Sequence, residues 1–200
     1  MANRAWTFMS AWGLAALILA GASCRGPTAA TPATTPAAPT SEDTQMKIAS
    51  TAFADGQPIP AKYSGEGQNA SPPLSWSNPP PGAVSAALIV DDPDAPRPQP
   101  WVHWVIYNLP PEGLLPEGVP GAARLDDPAG AIQGVNTGNK AGYQGPYPPK
   151  GHGVHHYHFK LYALDCRLDA KPGLTKDQLL KAMEGHILAQ AELVGTYERR

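Results

Sequence analysis

The pattern of hydrophobic positions divides the chain into three parts. A predominantly hydrophobic run from Trp6 to Ala22 follows the positive charge of Arg4. Residues 25–44 have no apolar periodicity, and 15 of these 20 residues are Pro, Thr or Ala. From Met46 onwards, short apolar and alternating runs return between turn-rich segments. We therefore expect one folded domain over residues 46–200, which is long enough to bury a core.

Two of these runs predict buried strands. Ala86 to Val90 is uniformly apolar between turn residues, as a strand covered on both faces would be. Trp101 to Leu109 is apolar on both of its alternating faces. Because successive side chains of a strand point to opposite faces, strict alternation puts His103 on the same face as Val105 and Tyr107.

A third run, His155 to Leu164, alternates more clearly. One face carries His155, Tyr157, Phe159 and Leu161, and the opposite face is more polar. The first face is therefore expected to point towards the core.

The C-terminal part predicts one good helix. Thr175 and Gln178 have the spacing of a capping box, and Gly185 should end or kink the helix that they start. Residues 193–197 favour a final strand. Many short strands with turn-rich connections predict a mainly β fold, an antiparallel, Greek-key-like β-sandwich with one or two short C-terminal helices.

The N-terminal apolar run has the layout of a secretory signal. It ends in the small residues Gly21, Ala22 and Ser23 followed by Cys24, and a cysteine at this junction resembles a bacterial lipobox. Leucine is usual where Gly21 stands, so ordinary cleavage after Ala22 or Ser23, or an uncleaved anchor, stays open. We predict a lipoprotein-type signal peptide over residues 1–24, with lipidation of Cys24.

A linker and an anchor follow from this layout. Residues 25–45 are predicted to be a disordered Pro/Thr/Ala-rich linker, because they bury too little surface to offset their chain entropy. Acyl chains on Cys24 would hold the domain on a membrane without spanning it. We therefore expect an exported protein of the cell envelope, anchored as a lipoprotein and facing the periplasm.

Composition narrows the classes of function. The formal net charge is −2, and no basic stripe marks a nucleic-acid binder. The chain has two cysteines, so Cys166 has no internal disulfide partner once Cys24 is set aside. We expect Cys166 to be a small buried hydrophobe and not a nucleophile.

Two segments concentrate polar side chains beside rigid loops. DDPDAP at 91–96 follows the first buried strand directly, and its prolines stop that strand, so acidic side chains lie at a strand end. GPYPPKGHG at 145–153 runs into His155 and Tyr157, which are two positions apart and point the same way. These segments are the candidate binding site.

The same segments resemble the signature of the phosphatidylethanolamine-binding protein family. The matching stretches are DPDAP at 92–96, WVH at 101–103 and PPKGHGVHHY at 148–157. SPPLSW at 71–76 and YALD at 162–165 resemble its bacterial Raf-kinase-inhibitor-like branch, of YbhB/YbcL type. The resemblance covers about residues 46–200. It implies a β-sandwich of antiparallel sheets with a small pocket at one end.

In this family the pocket takes phosphate, phosphorylated head groups or similar small anions. Carried over residue by residue, the resemblance implies a ligand-binding set whose rim is shaped by Asp94 and Pro96. The lining residues are Asp92, His103, Pro148, His155 and Tyr157. Tyr147 stands where a cysteine is frequent in the bacterial pattern, which would reshape the mouth of the pocket.

The resemblance implies a small anionic ligand and no cofactor. It also allows a kinase- or protease-inhibitor-like interaction role, and the sequence names no protein partner for it.

A carboxylate in an anion pocket needs a physical reason. Asp92 can accept a hydrogen bond from an imidazole, with His103 as the expected partner, and hold that ring protonated and oriented. It can alternatively accept from an ammonium group of the ligand. His155 and Tyr157 would donate to the anion. Phosphate affinity should then fall as pH rises through the histidine titration range.

Two other interpretations of these residues are weaker. The histidines at 152, 155, 156 and 158 invite a metal site, but neighbouring strand positions face opposite sides and no Cys or Glu completes a set, so none is predicted. A hydrolase using Asp92, His103 and His155 in acid–base chemistry is the alternative function. No nucleophile with a partner base is visible, so we do not expect an enzyme. The aromatic residues Trp76, Trp101, Trp104 and Phe159 are expected to be core.

Overall fold

The computed structural model describes residues 45–200. The signal peptide predicted over residues 1–24, and all but the last residue of the linker predicted over residues 25–45, lie outside the described residues. No helix within residues 45–200 has the length and apolar character needed to cross a membrane.

The described chain forms two antiparallel sheets, as the sequence predicts. The elements in chain order are β1 (Lys47–Ala49), β2 (Leu74–Ser77), β3 (Ser85–Asp92), β4 (Trp101–Leu109), β5 (Gly113–Leu115), β6 (Ile132–Gln133), β7 (Val154–Leu164), α1 (Lys176–Met183) and β8 (Ile187–Glu198). The small sheet has the order β1-β2-β5, and the large sheet has the order β6-β4-β3-β7-β8.

Two hydrophobic cores cover the two faces of the large sheet. The main core fills the sandwich, where Leu74 and Trp76 of the small sheet join the same cluster as Leu88 and Trp104 of the large one. A second core lies on the other face and includes Leu179 and Met183 of α1, together with the β3, β4 and β7 residues Ile89, Tyr107 and Tyr162. All eight residues of β3 are buried, which explains its uniformly apolar run.

The C-terminal helix and strand were well predicted. The Thr175 side chain accepts from Gln178 N, and the Gln178 side chain accepts from Thr175 N, so the capping box is present. Within the described residues α1 is the one α-helix, and Gly185 follows it with a φ of +80°. The final strand runs over Ile187–Glu198 and is longer than the predicted 193–197.

A β-bulge in β4 overturns the predicted facing of His103. Val90 pairs with Trp104, but the next residue, Asp91, pairs with Val102, so His103 is an extra residue in β4. A bulge shifts the alternation by one position. His103 therefore lies on the side of Trp104, which belongs to the main core, and not on the side of Val105.

Candidate functional site

A cavity of about 570 Å³ lies where the end of β3 meets the starts of β4 and β7. Two loops complete it, namely residues 95–98 between β3 and β4 and residues 144–149 between β6 and β7. The loop glycine Gly145 is needed for close packing, because a Cβ there would lie 2.2 Å from the carbonyl oxygen of Tyr63. The cavity lining is Asp92, Ala95, Pro96, Arg97, Pro98, Trp101, His103, Gln144, Gly145, Tyr147, Pro148, Pro149, His155 and Tyr157.

The structure brings six of the seven predicted site residues together around this cavity. Asp94 is the exception, because it is not among the lining residues. Its carboxylate instead accepts from the backbone N–H of His156 at 2.8 Å and pairs with the His156 ring at 2.7 Å. Asp94 thus braces the loop after β3 against β7, on the outside of the sandwich.

Asp92 is paired with His155, and not with His103 as expected. Its Oδ2 lies 2.7 Å from Nδ1 of His155, and its Oδ1 accepts from the backbone N–H of Asp94 at 2.8 Å. Both side chains are buried, at 5% and 1% exposure. Because both carboxylate oxygens have partners, Asp92 serves as an orienting acceptor for His155.

The hydrogen-bonded chain extends outwards through His152. Nδ1 of His152 lies 2.7 Å from Nε2 of His155, while His152 itself is exposed. His152 was not a predicted site residue, because a single histidine between glycines gives no periodic signal. The structure thus joins a buried carboxylate to solvent through two imidazoles.

His103 is a neutral ring at physiological pH. Burial lowers its pKa to about 4, against the weaker effect of its hydrogen bond to Gln144. Nδ1 lies 2.6 Å from the carbonyl oxygen of Gln144, which can only accept, so Nδ1 carries the proton. Nε2 is therefore a hydrogen-bond acceptor, and His103 is not the protonated donor that the sequence suggested.

Tyr157 supplies a buried donor. The residue is 1% exposed, and its ring meets that of His103 edge-on at a centroid distance of 5.0 Å. Its hydroxyl is the one buried side-chain polar atom within residues 45–200 that lacks a hydrogen-bond partner. Burial raises the pKa of this phenol, and the charge of Asp92 raises it further, so the hydroxyl keeps its proton.

Arg97 and Trp101 are cavity residues that the sequence analysis missed. The Arg97 guanidinium lies 5.2 Å from the centroid of the Trp101 ring, in a cation–π contact. Trp101 was expected in the core, but it is half-buried at the first position of β4 and lines the cavity. The presence of Arg97 between the two matched motifs was the available signal for a cation at this site.

Tyr147 lies at the mouth of the cavity, as the family resemblance implied. It is 53% exposed, and the Arg199 guanidinium stacks 3.7 Å from its ring centroid. Arg199 also donates to the Tyr147 hydroxyl at 2.5 Å. These contacts tie the mouth to the C-terminal end of the chain.

The neighbouring acidic and histidine residues point away from the cavity. Asp91 is buried on the opposite face of β3, where Lys160 donates to it at 2.9 Å and Lys176 of α1 forms a second ion pair. Burial disfavours its charge, but hydrogen bonds from Lys176 and Lys160 outweigh this and lower its pKa. His158, also on that face, pairs with Glu192 at 2.9 Å.

A family model and curated relatives match this chain. The model described as phosphatidylethanolamine-binding protein matches residues 49–198. A UPF0098 protein of Methanothermobacter thermautotrophicus is 52% identical over 155 residues, which cover 77% of this chain and 99% of that protein. LppC of Mycobacterium tuberculosis, named as a lipoprotein, is 45% identical over 166 residues, which cover 83% of this chain and 77% of LppC.

Solved structures show the same fold. A homologue of phosphatidylethanolamine-binding protein from Chlamydia trachomatis has a TM-score of 0.71 and 47% identity, over 78% of this chain and 99% of the other. YbcL of E. coli, described as a member of the mammalian family, has a TM-score of 0.69 and 33% identity, again over 78% and 99%.

Proposed function

Because the chain belongs to the phosphatidylethanolamine-binding protein family, we propose that its cavity binds a phosphate group, either as the free ion or on a phosphorylated head group. The observation that carries this proposal is the Tyr157 hydroxyl, a buried donor without a partner in the wall of the cavity. A buried donor left unsatisfied costs about 1–3 kcal/mol, so a ligand oxygen at this point is favoured.

The neutral ring of His103 adds a second requirement. Its Nε2 accepts, so a ligand that both accepts from Tyr157 and donates to His103 fits best. A singly protonated phosphate or phosphomonoester has oxygens of both kinds. An ammonium group beside the phosphate, as in phosphoethanolamine, is a second source of the donated proton.

The charges around the cavity are compatible with an anion. Arg97 places a guanidinium in the lining, and planar guanidinium groups suit phosphate oxygens. Each carboxylate oxygen of Asp92 accepts a hydrogen bond, one from the His155 ring and one from the backbone of Asp94, and these bonds partly offset its negative charge beside an anion. The acidic residue is thereby reconciled with an anionic ligand.

Binding without turnover is the proposed activity. A hydrolase would need a nucleophile beside a base. Two buried serines, Ser64 and Ser71, lie outside the cavity lining and make other contacts: Ser64 donates to the carbonyl of Ala61 at 2.8 Å, and Ser71 accepts from Val119 N at 2.9 Å. Tyr157 keeps its proton, since burial raises its pKa. These contacts support a binding protein over the hydrolase alternative.

The proposal places the domain at the cell envelope. The lipobox-like Cys24 and the linker after it would hold the binding domain on a membrane, facing the periplasm. A relative of 45% identity that is named as a lipoprotein supports this location.

Calorimetry on the full-length chain carrying Cys24→Ser tests the ligand. The probes are inorganic phosphate, O-phosphoethanolamine, O-phosphoserine and sulfate, all at neutral pH. We expect binding of phosphate and no comparable binding of sulfate, because sulfate has no proton to donate to His103. Tighter binding of phosphoethanolamine or phosphoserine than of inorganic phosphate favours a phosphorylated head group, and tighter binding of inorganic phosphate favours the free ion. Equal binding of sulfate, or no binding of any probe, would overturn the proposal.

A further inference from the structure

Three side chains of the types that bind metal ions meet at the end of β7 that is remote from the cavity. Asp165 and Cys166 directly follow β7, and His186 directly precedes its neighbour β8. From His155 to Asp165 the strand covers about 33 Å, at about 3.3 Å per residue. We propose that Asp165, Cys166 and His186 form a binding site for a divalent metal ion, and that Zn²⁺ is the ion that suits its donors best.

The backbone holds the two segments together without any ion. Asp165 N donates to the carbonyl oxygen of His186 at 3.1 Å, and the Ser85 hydroxyl donates to the carbonyl oxygen of Cys166 at 2.5 Å. His186 N donates to the carbonyl oxygen of Met183 at 3.0 Å, across the turn that contains Gly185. These contacts fix the backbone positions of the three residues, so little chain entropy would be lost when their side chains bind an ion.

The donor atoms are already near the spacing that one ion needs. One donor atom from each residue lies within 4.8 Å of the others, and Asp165 Oδ1 is 2.8 Å from His186 Nδ1. Tetrahedral zinc has bonds of about 2.0–2.3 Å, which puts its ligand atoms about 3.3–3.7 Å apart. Asp165 and His186 are 43% and 47% exposed, so side-chain rotation alone can make this adjustment.

The donor set selects for zinc over harder ions. A thiolate, an imidazole and a carboxylate are all zinc ligands, whereas Mg²⁺ and Ca²⁺ prefer oxygen. Partial burial raises the pKa of the Cys166 thiol, and its contact with the Asp165 carboxylate raises that pKa further. The metal-free protein therefore keeps the proton on the thiol. Zn²⁺ would release that proton to solvent and take both groups as ligands, with water in the fourth position.

The sequence did not predict this site. Cys166 was expected to be a buried hydrophobe, but it is half-buried in the turn after β7 and touches the second core with only part of its surface. His186 lies 20 residues further along the chain, and only the pairing of β7 with β8 brings it to Cys166. Within residues 45–200, no other group of three such side chains has its donor atoms this close.

Cobalt spectroscopy on the full-length chain tests the site. The starting protein carries Cys24→Ser, so that Cys166 is its one thiol, and is freed of metal with a chelator. Titration with Co²⁺ should give a thiolate-to-cobalt charge-transfer band and the visible bands of a tetrahedral site, and Zn²⁺ should remove both. Adding Cys166→Ser should abolish the charge-transfer band. Adding His186→Ala should weaken affinity by more than about tenfold, the loss that even outer-shell partners commonly cause.

His158→Ala is the matched control. Like His186, His158 pairs with one carboxylate, that of Glu192, but it has no cysteine beside it. This variant should keep full Co²⁺ affinity. Circular dichroism of each metal-free variant shows whether it is folded. Absence of the charge-transfer band from the folded starting protein, or equal binding by the folded Cys166→Ser or His186→Ala variants, would overturn the proposal.

Discussion

The Asp92 carboxylate and the His155 imidazole are joined by a buried hydrogen bond of 2.7 Å between β3 and β7. The second carboxylate oxygen accepts from the backbone N–H of Asp94, so the start of the loop after β3 is tied to the same group. This pair fixes the orientation of a ring that lines the cavity. The geometry of the site therefore depends on the hydrogen bond between Asp92 and His155, in which the ligand itself does not need to take part.

Asp92→Asn should destabilise the protein by about 1–3 kcal/mol, the usual cost of leaving a buried polar group without its partner. An amide in place of the carboxylate loses the charge and one of the two acceptor oxygens that His155 and Asp94 use. The free energy of unfolding in urea measures the effect. Asp94→Asn is the control, because the exposed pair of Asp94 with His156 should contribute at most about 1 kcal/mol. Equal losses in the two variants would contradict this role of Asp92.

Tyr157→Phe should separate ligand binding from stability. Removing the unpaired hydroxyl leaves the unliganded protein as stable as before or more stable, while phosphate affinity falls about tenfold or more. Calorimetry and thermal unfolding of the same variant measure the two effects. Tyr197→Phe should lower stability and leave phosphate affinity unchanged, since the Tyr197 hydroxyl contacts Ser64 and Glu66. A Tyr157→Phe protein that binds phosphate normally would refute the assignment.

Burial of His103 predicts a loss of stability in acid. Its pKa is lowered to about 4, so between about pH 6.5 and about pH 4 the unfolded ring takes up a proton that the folded ring does not. Stability should therefore fall as pH drops through this window, by up to about 3 kcal/mol. Unfolding free energies at about pH 7 and about pH 4.5 measure the slope, and His103→Gln should flatten it. An identical slope in the variant would show that His103 is not the source.

The pH dependence of phosphate binding should follow the pKa of the ligand. The sequence suggested that affinity falls as histidines lose their protons, but His103 is already neutral over that range. A phosphomonoester loses its last proton at a pKa of about 6, and with it the hydrogen that His103 can accept. Affinity measured for several phosphomonoesters should fall at a pH that moves with the pKa of each ligand. A midpoint common to all of them would assign the titration to a protein group instead.

Lipidation of Cys24 remains a prediction about a segment outside the described residues. We expect the protein to be recovered with membranes, with Cys24 as its acylated first residue by mass spectrometry. Cys24→Ser should release the protein from the membrane fraction, because the acyl chains on Cys24 are the predicted anchor. A Cys24→Ser protein that stays with the membranes would point to an uncleaved apolar segment.

The hydrophobic pattern predicted the sandwich because its strands obey regular alternation over most of their length. It also placed His155 and Tyr157 on one face, since β7 has no irregularity near them. The motif residues then identified most of the cavity. The prediction for His103 failed because it assumed the same regularity in β4, where the register shifts.

The features that the sequence did not reveal depend on contacts between distant segments. His152 is part of the site because of a hydrogen bond to His155 across a glycine-rich turn. Asp94 lies outside the cavity because its carboxylate pairs with His156. His186 reaches Cys166 only because β7 and β8 pair. None of these side chains is placed by periodicity, so only the three-dimensional structure brings them together.

The β-bulge at His103 has a consequence for how this cavity can diversify. His103 has no partner residue in the pairing of β4 with β3, so a substitution at this position changes the cavity wall without changing the register of the two strands. Loss of one residue from this stretch of β4 would restore regular pairing and remove the extra position from the cavity wall. A single-residue deletion here should therefore change ligand selectivity, because it removes a polar side chain from the cavity wall.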